Sequence, residues 1–283
     1  MTKREIEDIS LEKHVSNATI DKDWVLGHLL NAFYATGNNK ENFVFKGGTC
    51  LKKCYFENYR FSEDLDFTLL DKDFPVDVNF INRITKRASE NSNIKFSLVE
   101  IKEQTHNNVH QGYEVKIKFW GADHKPNSPI PRPSRCQTFI KLDISFTEQI
   151  FETPNSCEIL HHYSDSHLIN EIIPVYSILE IMAEKLRALI QRNRPRDIYD
   201  IWYIMNSSKS PNKKAIKELL QLKAKSKNIE IISVDQFVNN QKMQKNKRAW
   251  ENSLILHLPM NSLPDFGVVY SDLHKIVCSI LNI

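Results

Sequence analysis

The hydrophobic periodicity of this chain changes once, at about Pro174, and that change sets what it can fold into. Before it, short segments alternate polar with apolar residues, the period of half-buried strands. Residues 64–70 place Asp64, Asp66 and Thr68 on one face and Leu65, Phe67 and Leu69 on the other. Segments 94–101, 113–120 and 139–146 alternate in the same way, with a helix expected over about 76–92. After Pro174, Ser177 is placed to cap a helix bearing Leu179, Met182, Leu186 and Leu189. Helical spacing recurs from Ile198, after 212, after 235 and after 270. The expected fold class is α/β, in the α+β sense: a mixed sheet with helices over 1–172, then a helical domain over 173–283. A chain of 283 residues also exceeds the usual size of a single domain.

Near the N-terminus, Trp24, Val25, Leu29 and Phe33 recur at helical spacing, which predicts a helix over about 22–36 that Gly37 is placed to end. The run Phe43-Val44-Phe45 reads as a buried strand leading into Gly47-Gly48. Leu51, Cys54 and Tyr55 then follow at i, i+3, i+4, giving strand, glycine turn and helix. Residues 121–135 carry four prolines and are expected to form a surface loop. Five cysteines without a Cys-x-x-Cys pair imply reduced thiols and give no zinc spacing, with Cys50 and Cys54 read as packing residues. His161, His162 and His167 lack the spacing of a metal-ligand set and read as loop histidines. The first residues are charged, and no apolar run is long enough to span a bilayer. A cytoplasmic protein with no membrane partner is therefore expected.

The chemistry is concentrated in three short stretches. Asp-x-Asp alone is weak, because Asp21-Lys-Asp23 and Asp71-Lys-Asp73 occur as well and read as solvated charges. Context separates Asp64 and Asp66: two apart on a strand, their Cα atoms lie about 7 Å apart on one side, so both carboxylates can ligate shared divalent metal. Upstream, the Gly47-Gly48-Thr49 turn opens a helix whose free N–H groups and dipole suit phosphate, with the Thr49 hydroxyl as a further donor. A later strand turns Lys141, Asp143 and Ser145 to its polar face, which offers Asp143 as a third carboxylate. Three carboxylates around two metal ions suit an in-line phosphoryl displacement. Ser62 and Arg60, just ahead of Asp64, read either as phosphate ligands or as turn residues.

Together Lys46-Gly-Gly-Thr-x-Leu, Arg60-Phe-Ser-Glu-Asp-Leu-Asp-Phe, Lys141-Leu-Asp, Glu180 to Leu189 and Arg196-Asp-Ile-Tyr-Asp resemble the AbiEii/AbiGii toxin family of nucleotidyltransferases, over about Asp23 to Trp202. The resemblance implies a polymerase-beta-like nucleotidyltransferase fold followed by a helical bundle whose first helix contributes to the active cleft. It implies transfer of a nucleoside monophosphate from an NTP, with release of pyrophosphate. Lys46, Gly47, Gly48, Thr49, Arg60 and Ser62 would face the nucleotide, and Asp64, Asp66 and Asp143 would hold two Mg2+ ions, with Mn2+ as an alternative. It also assigns Lys185 to the nucleotide and Asp197 to a position beside it; from the residues alone, Lys185 is a solvated helix charge. The spacer of fourteen residues between Thr49 and Asp64 is longer than in the superfamily at large, and beyond about 205 the resemblance fades.

Net charge is only +3, but Met205 to Trp250 holds eleven Lys or Arg against three acids. That stretch fits an RNA backbone, or is simply solvated surface. The acceptor expected from the resemblance is RNA, at a tRNA 3′ end, in a toxin with an antitoxin partner. The alternatives are transfer to a protein or a small molecule, or a catalytically silent nucleotide-binding protein.

Overall fold

The structure, a computed structural model, describes residues 1–125 and 127–282. It divides into two compact units: Met1–Glu148 with Pro154–Val175, and Gln149–Thr153 with Tyr176–Ile283.

The first unit is built on a seven-stranded mixed sheet. Its strands are β1 (Phe43–Lys46), β2 (Asp64–Leu69), β3 (Lys95–His106), β4 (Val109–Trp120), β5 (Phe139–Ser145), β6 (Asn155–Glu158) and β7 (Ile172–Val175). They lie in the order β3-β4-β5-β2-β1-β7-β6, with β2 parallel to β5 and β1 parallel to β7. Helices α1 (Lys3–Lys13), α2 (Asn17–Tyr34), α3 (Asn39–Asn42), α4 (Gly47–Cys50) and α5 (Val78–Ser92) complete it. The alternation expected of β2 and β5 is present: Leu65, Phe67, Ile140, Leu142 and Ile144 are buried. Phe33 of α2 stacks on Phe67 at 4.3 Å, and Phe43 stacks on Phe80 of α5 at 5.7 Å. These rings fill one side of the sheet and leave the other to polar residues.

Two expectations need correction here. The helix expected from about residue 22 starts at Asn17. Ser16 caps α2 through a hydrogen bond from the Thr19 N–H, which puts Asp21 and Asp23 inside the helix. They are not solvated: each is 5% exposed. Asp23 pairs with the Lys53 ammonium at 2.6 Å, and Asp21 accepts from the Ala122 N–H at 2.7 Å. Burial pushes the Asp21 carboxyl up to about 6, whereas for Asp23 burial is outweighed by Lys53 and Lys52 and the carboxyl lies below its ordinary value. Asp71 and Asp73 are exposed, as expected.

The second unit contains α6 (Ile178–Gln191), α7 (Pro195–Met205), α8 (Lys213–Lys225), α9 (Asn240–Leu254) and α10 (Phe266–Leu281). Ser177 caps α6, accepting from the Glu180 N–H at 3.0 Å. Among the described residues no strand follows Val175. Between β5 and β6 the chain gives Gln149–Thr153 to this unit. The buried Glu180 carboxylate accepts the N–H of Phe151 at 3.3 Å and of Glu152 at 2.9 Å, while Lys223 donates to the Gln149 carbonyl at 2.8 Å. Lys223 and Glu180 also pair at 2.6 Å, so both buried charges are satisfied. No helix of the described residues is long and apolar enough to cross a membrane.

Candidate active site

In the first unit, Asp66 lies between Lys46 of β1 and Asp143 of β5 as register partners, and Asp64 lies beside Lys141. Neighbouring strands are about 4.8 Å apart, so register alone brings the three carboxylates onto one polar patch. All three are half-buried.

The glycine turn is held against them. Gly47 has φ +80, and an added Cβ would lie 2.2 Å from the Asp66 Oδ2, so the turn both needs a positive φ and carries the Asp66 carboxylate directly over its backbone. At Gly48 a Cβ would lie 2.8 Å from the Arg60 Nη2 and 3.1 Å from the Ser62 Oγ. Both side chains therefore close on the turn. Arg60 is buried, with Nη1 donating to the Phe61 carbonyl at 3.2 Å. The Thr49 hydroxyl, expected to add a phosphate donor, instead donates to the Asp64 carbonyl at 2.5 Å and ties the turn to β2. The turn continues from α4 into a π-helical segment, Leu51–Tyr55.

Two neighbours of the carboxylates, Gln104 and Glu114, are not evident from the sequence. Gln104 of β3 donates from Nε2 to the Asp143 Oδ1 at 3.2 Å. It does so across β4 at Gly112, its register partner, where a Cβ would lie 2.1 Å from the Ile144 carbonyl oxygen, so no side chain stands between them. Lys141 lies 3.3 Å from Glu114. Burial opposes its charge, but Asp64, Glu114 and Asp143 outweigh that and hold its pKa above the ordinary lysine value. The signal for Gln104 is the glycine in an otherwise alternating strand, which marks a close approach.

Lys185 and Asp197 belong to the second unit and meet there: the ammonium is 3.2 Å from the Asp197 Oδ1 and 2.6 Å from the Asp200 Oδ2. Arg192 adds a bidentate contact to Asp197 at 2.9 and 3.0 Å. Burial alone would raise the Asp197 carboxyl, but Lys185 and Arg192 hold it below the usual carboxylate range. Lys185 is thus a buried charge at 8% exposure, not the solvated one that the residues alone suggest. Asp200, three residues after Asp197 on α7, joins the pair without any signal in its spacing.

His161 lies in a loop, as expected, but is buried, while His162 and His167 are exposed. The His161 and His28 Nε2 atoms lie 3.2 and 3.0 Å from the Asp165 carboxylate, to which Trp24 also donates at 2.8 Å. His28, His161 and Asp165 bring ligand-type atoms within 4.8 Å of one another. Hydrogen bonds from His161, His28 and Trp24 outweigh burial and hold Asp165 well below the usual carboxylate range, while the buried His161 Nδ1 has no hydrogen-bond partner among the described residues. All five cysteines are free.

A mixed sheet with a glycine turn beside carboxylates on parallel strands is the framework of a nucleotidyltransferase. The family model described as nucleotidyl transferase AbiEii toxin, type IV toxin–antitoxin system, matches residues 28–271, and the chain belongs to that family. It is an enzyme of the nucleotidyltransferase class. No curated protein sequence matches it. Among solved structures it resembles MenT4, a nucleotidyltransferase toxin from Mycobacterium tuberculosis H37Rv, with a TM-score of 0.65 at 15% identity over 100% of this chain and 90% of that one. It also resembles JHP933 from Helicobacter pylori, with a TM-score of 0.51 at 17% identity over 95% of this chain and 94% of that one. At these identities the likeness is one of fold.

Proposed function

We propose that this toxin transfers a nucleoside monophosphate from an NTP to the hydroxyl at an RNA end, with tRNA 3′ ends as the acceptor class and with Asp64, Asp66 and Asp143 holding Mg2+. The observation that carries the reading is the register Lys46–Asp66–Asp143 beside a turn onto which Arg60 and Ser62 close. Three carboxylates form a hard-oxygen donor set that suits Mg2+ or Mn2+. A metal held there would supply positive charge to offset the leaving pyrophosphate and to acidify the attacking hydroxyl.

The protein's own groups do the rest. The N–H groups of Gly48 and Thr49, with Arg60 and Ser62, hold the triphosphate and align its α-phosphorus. The acceptor oxygen attacks that phosphorus, its proton passing to Asp143, while the bond to the bridging oxygen breaks and pyrophosphate departs. Gln104 fixes the Asp143 carboxylate, and Lys141 offsets the mutual repulsion of the acids. The family resemblance extends the nucleotide contacts to Lys185, oriented by Asp197. The family also implies an antitoxin partner.

Each labelled NTP, incubated with the protein, Mg2+ and total RNA or total protein, tests the reading. Label in RNA, lost on chelation and in the Asp66→Asn variant, is expected. Label in protein alone would move the acceptor to the alternative class. NTP binding without pyrophosphate release would make the chain a nucleotide-binding protein.

A further inference from the structure

We propose that the polar face of β4 and β5, around Phe139, Lys116 and Lys118, is the track along which a single-stranded RNA end enters the site. This rests on the nucleotidyltransferase reading given above and adds to it where the acceptor lies.

In an in-line displacement the entering oxygen and the leaving pyrophosphate stand on opposite sides of the phosphorus. The glycine turn follows β1 directly, and the strand order β4-β5-β2-β1 puts it on one side of the Asp64 and Asp66 pair and β5 and β4 on the other. With the triphosphate toward the turn, the acceptor enters over β5 and β4. Register shows what waits there: Lys116 lies beside Lys141, and Lys118 beside Phe139, on the face that also carries Asp143. Phe139 is four residues before Asp143 on β5, about 13 Å along the strand.

The local chemistry favours a polyanion. Phe139 is 38% exposed, with the Lys116 ammonium 4.3 Å and the Lys22 ammonium 5.4 Å from its ring centre. Cation–π contact anchors each ammonium to the ring. Lys22 has Glu63 at 3.5 Å, but among the described residues neither Lys116 nor Lys118 has a carboxylate in ion-pair contact. Lys118 donates to the Pro133 carbonyl at 2.9 Å, next to the exposed Arg132 and Arg135. Basic groups interleaved with an exposed aromatic ring suit a single strand.

The basic stretch 205–250, by contrast, spends part of its charge internally. Lys223 is buried against Glu180, and Lys214 lies 4.0 Å from Glu218.

The test uses the full chain and a 5′-labelled single-stranded RNA oligonucleotide, with affinity followed by anisotropy across a salt series. Lys116→Glu with Lys118→Glu is expected to weaken binding at least tenfold and to flatten the salt slope by about 0.7 for each phosphate no longer neutralised. NTP binding should be retained, and Lys116→Gln with Lys118→Gln, a milder change to the same strand, should give an intermediate loss. Unchanged RNA affinity in both pairs, or a larger loss from Lys213→Glu with Lys214→Glu, would overturn the track. If the wild type labels RNA and the glutamate pair labels it equally well, only the track fails; if the wild type labels protein instead, the acceptor reading and the track fail together.

Discussion

Two groups of aspartates in this chain solve opposite electrostatic problems. In the first unit Asp64, Asp66 and Asp143 are half-buried, and their nearest strand neighbours include one another. In the second, Asp197 and Asp200 are almost fully buried, but Lys185 reaches both and Arg192 clasps Asp197 with two hydrogen bonds. On the proposed reading the first group takes up a cation from outside, whereas the second is paired with Lys185 and Arg192 of its own chain. Similar side chains therefore predict different kinds of damage: loss of chemistry in one case, loss of fold in the other.

The sharpest way to break the comparison is at Asp66. Asp66→Asn should lower nucleotide transfer by a factor on the order of 1,000 while shifting stability by no more than about 1 kcal/mol, checked by initial rates beside a denaturant melt. A variant that unfolds would make Asp66 structural and put both groups in one class. At Lys185 the opposite holds: Lys185→Met removes the ammonium 2.6 Å from the buried Asp200 and should cost about 3 to 5 kcal/mol of stability. Adding Asp200→Asn should restore part of that. If the restored double variant uses NTP normally, Lys185 is structural only and its nucleotide role is lost.

Asp21 sharpens the contrast from the side of pH. Its carboxyl is raised by burial to about 6, from an ordinary 3.8, so its contribution to stability is present in full below pH 3.8 and is lost as pH rises through 6. Asp21→Asn, which keeps an acceptor for the Ala122 N–H, should therefore gain on the wild type between about pH 4 and 7, by about 2 to 3 kcal/mol. Parallel melting curves across that window would refute this. The smallest effect is expected at Gln104, which orients a carboxylate without touching substrate. Gln104→Leu should raise the Mg2+ concentration needed for half-maximal transfer by about tenfold, with saturating metal restoring the rate. A rate that excess metal does not restore would point to a structural role.

What is legible in the sequence follows from how local each signal is. Alternation exposes β2 and β5 because each strand carries its own pattern, and the cap at Ser177 lies within one turn of the N–H it receives. The glycine turn is readable for the same reason. Asp23 reads wrongly as solvated because its partner Lys53 is 30 residues away, and Asp21 because its donor Ala122 is 101 residues away. Neither pairing leaves a trace in spacing. Gln104 stays hidden because it reaches Asp143 across 39 residues of sequence and over an intervening strand. The strands β6 and β7 are four residues each, too short for a period to declare itself.

The five residues Gln149–Thr153 carry a lesson for anyone who would recombine this enzyme with its relatives. Because their N–H and carbonyl groups are received by Glu180 and Lys223, a hybrid that joined a foreign helical half at Tyr176 would keep those five residues but lose the side chains that receive them. Inheritance of the two halves is thus interleaved: a working chimaera must transplant the short internal stretch together with the distant C-terminal one, in two pieces from a single parent.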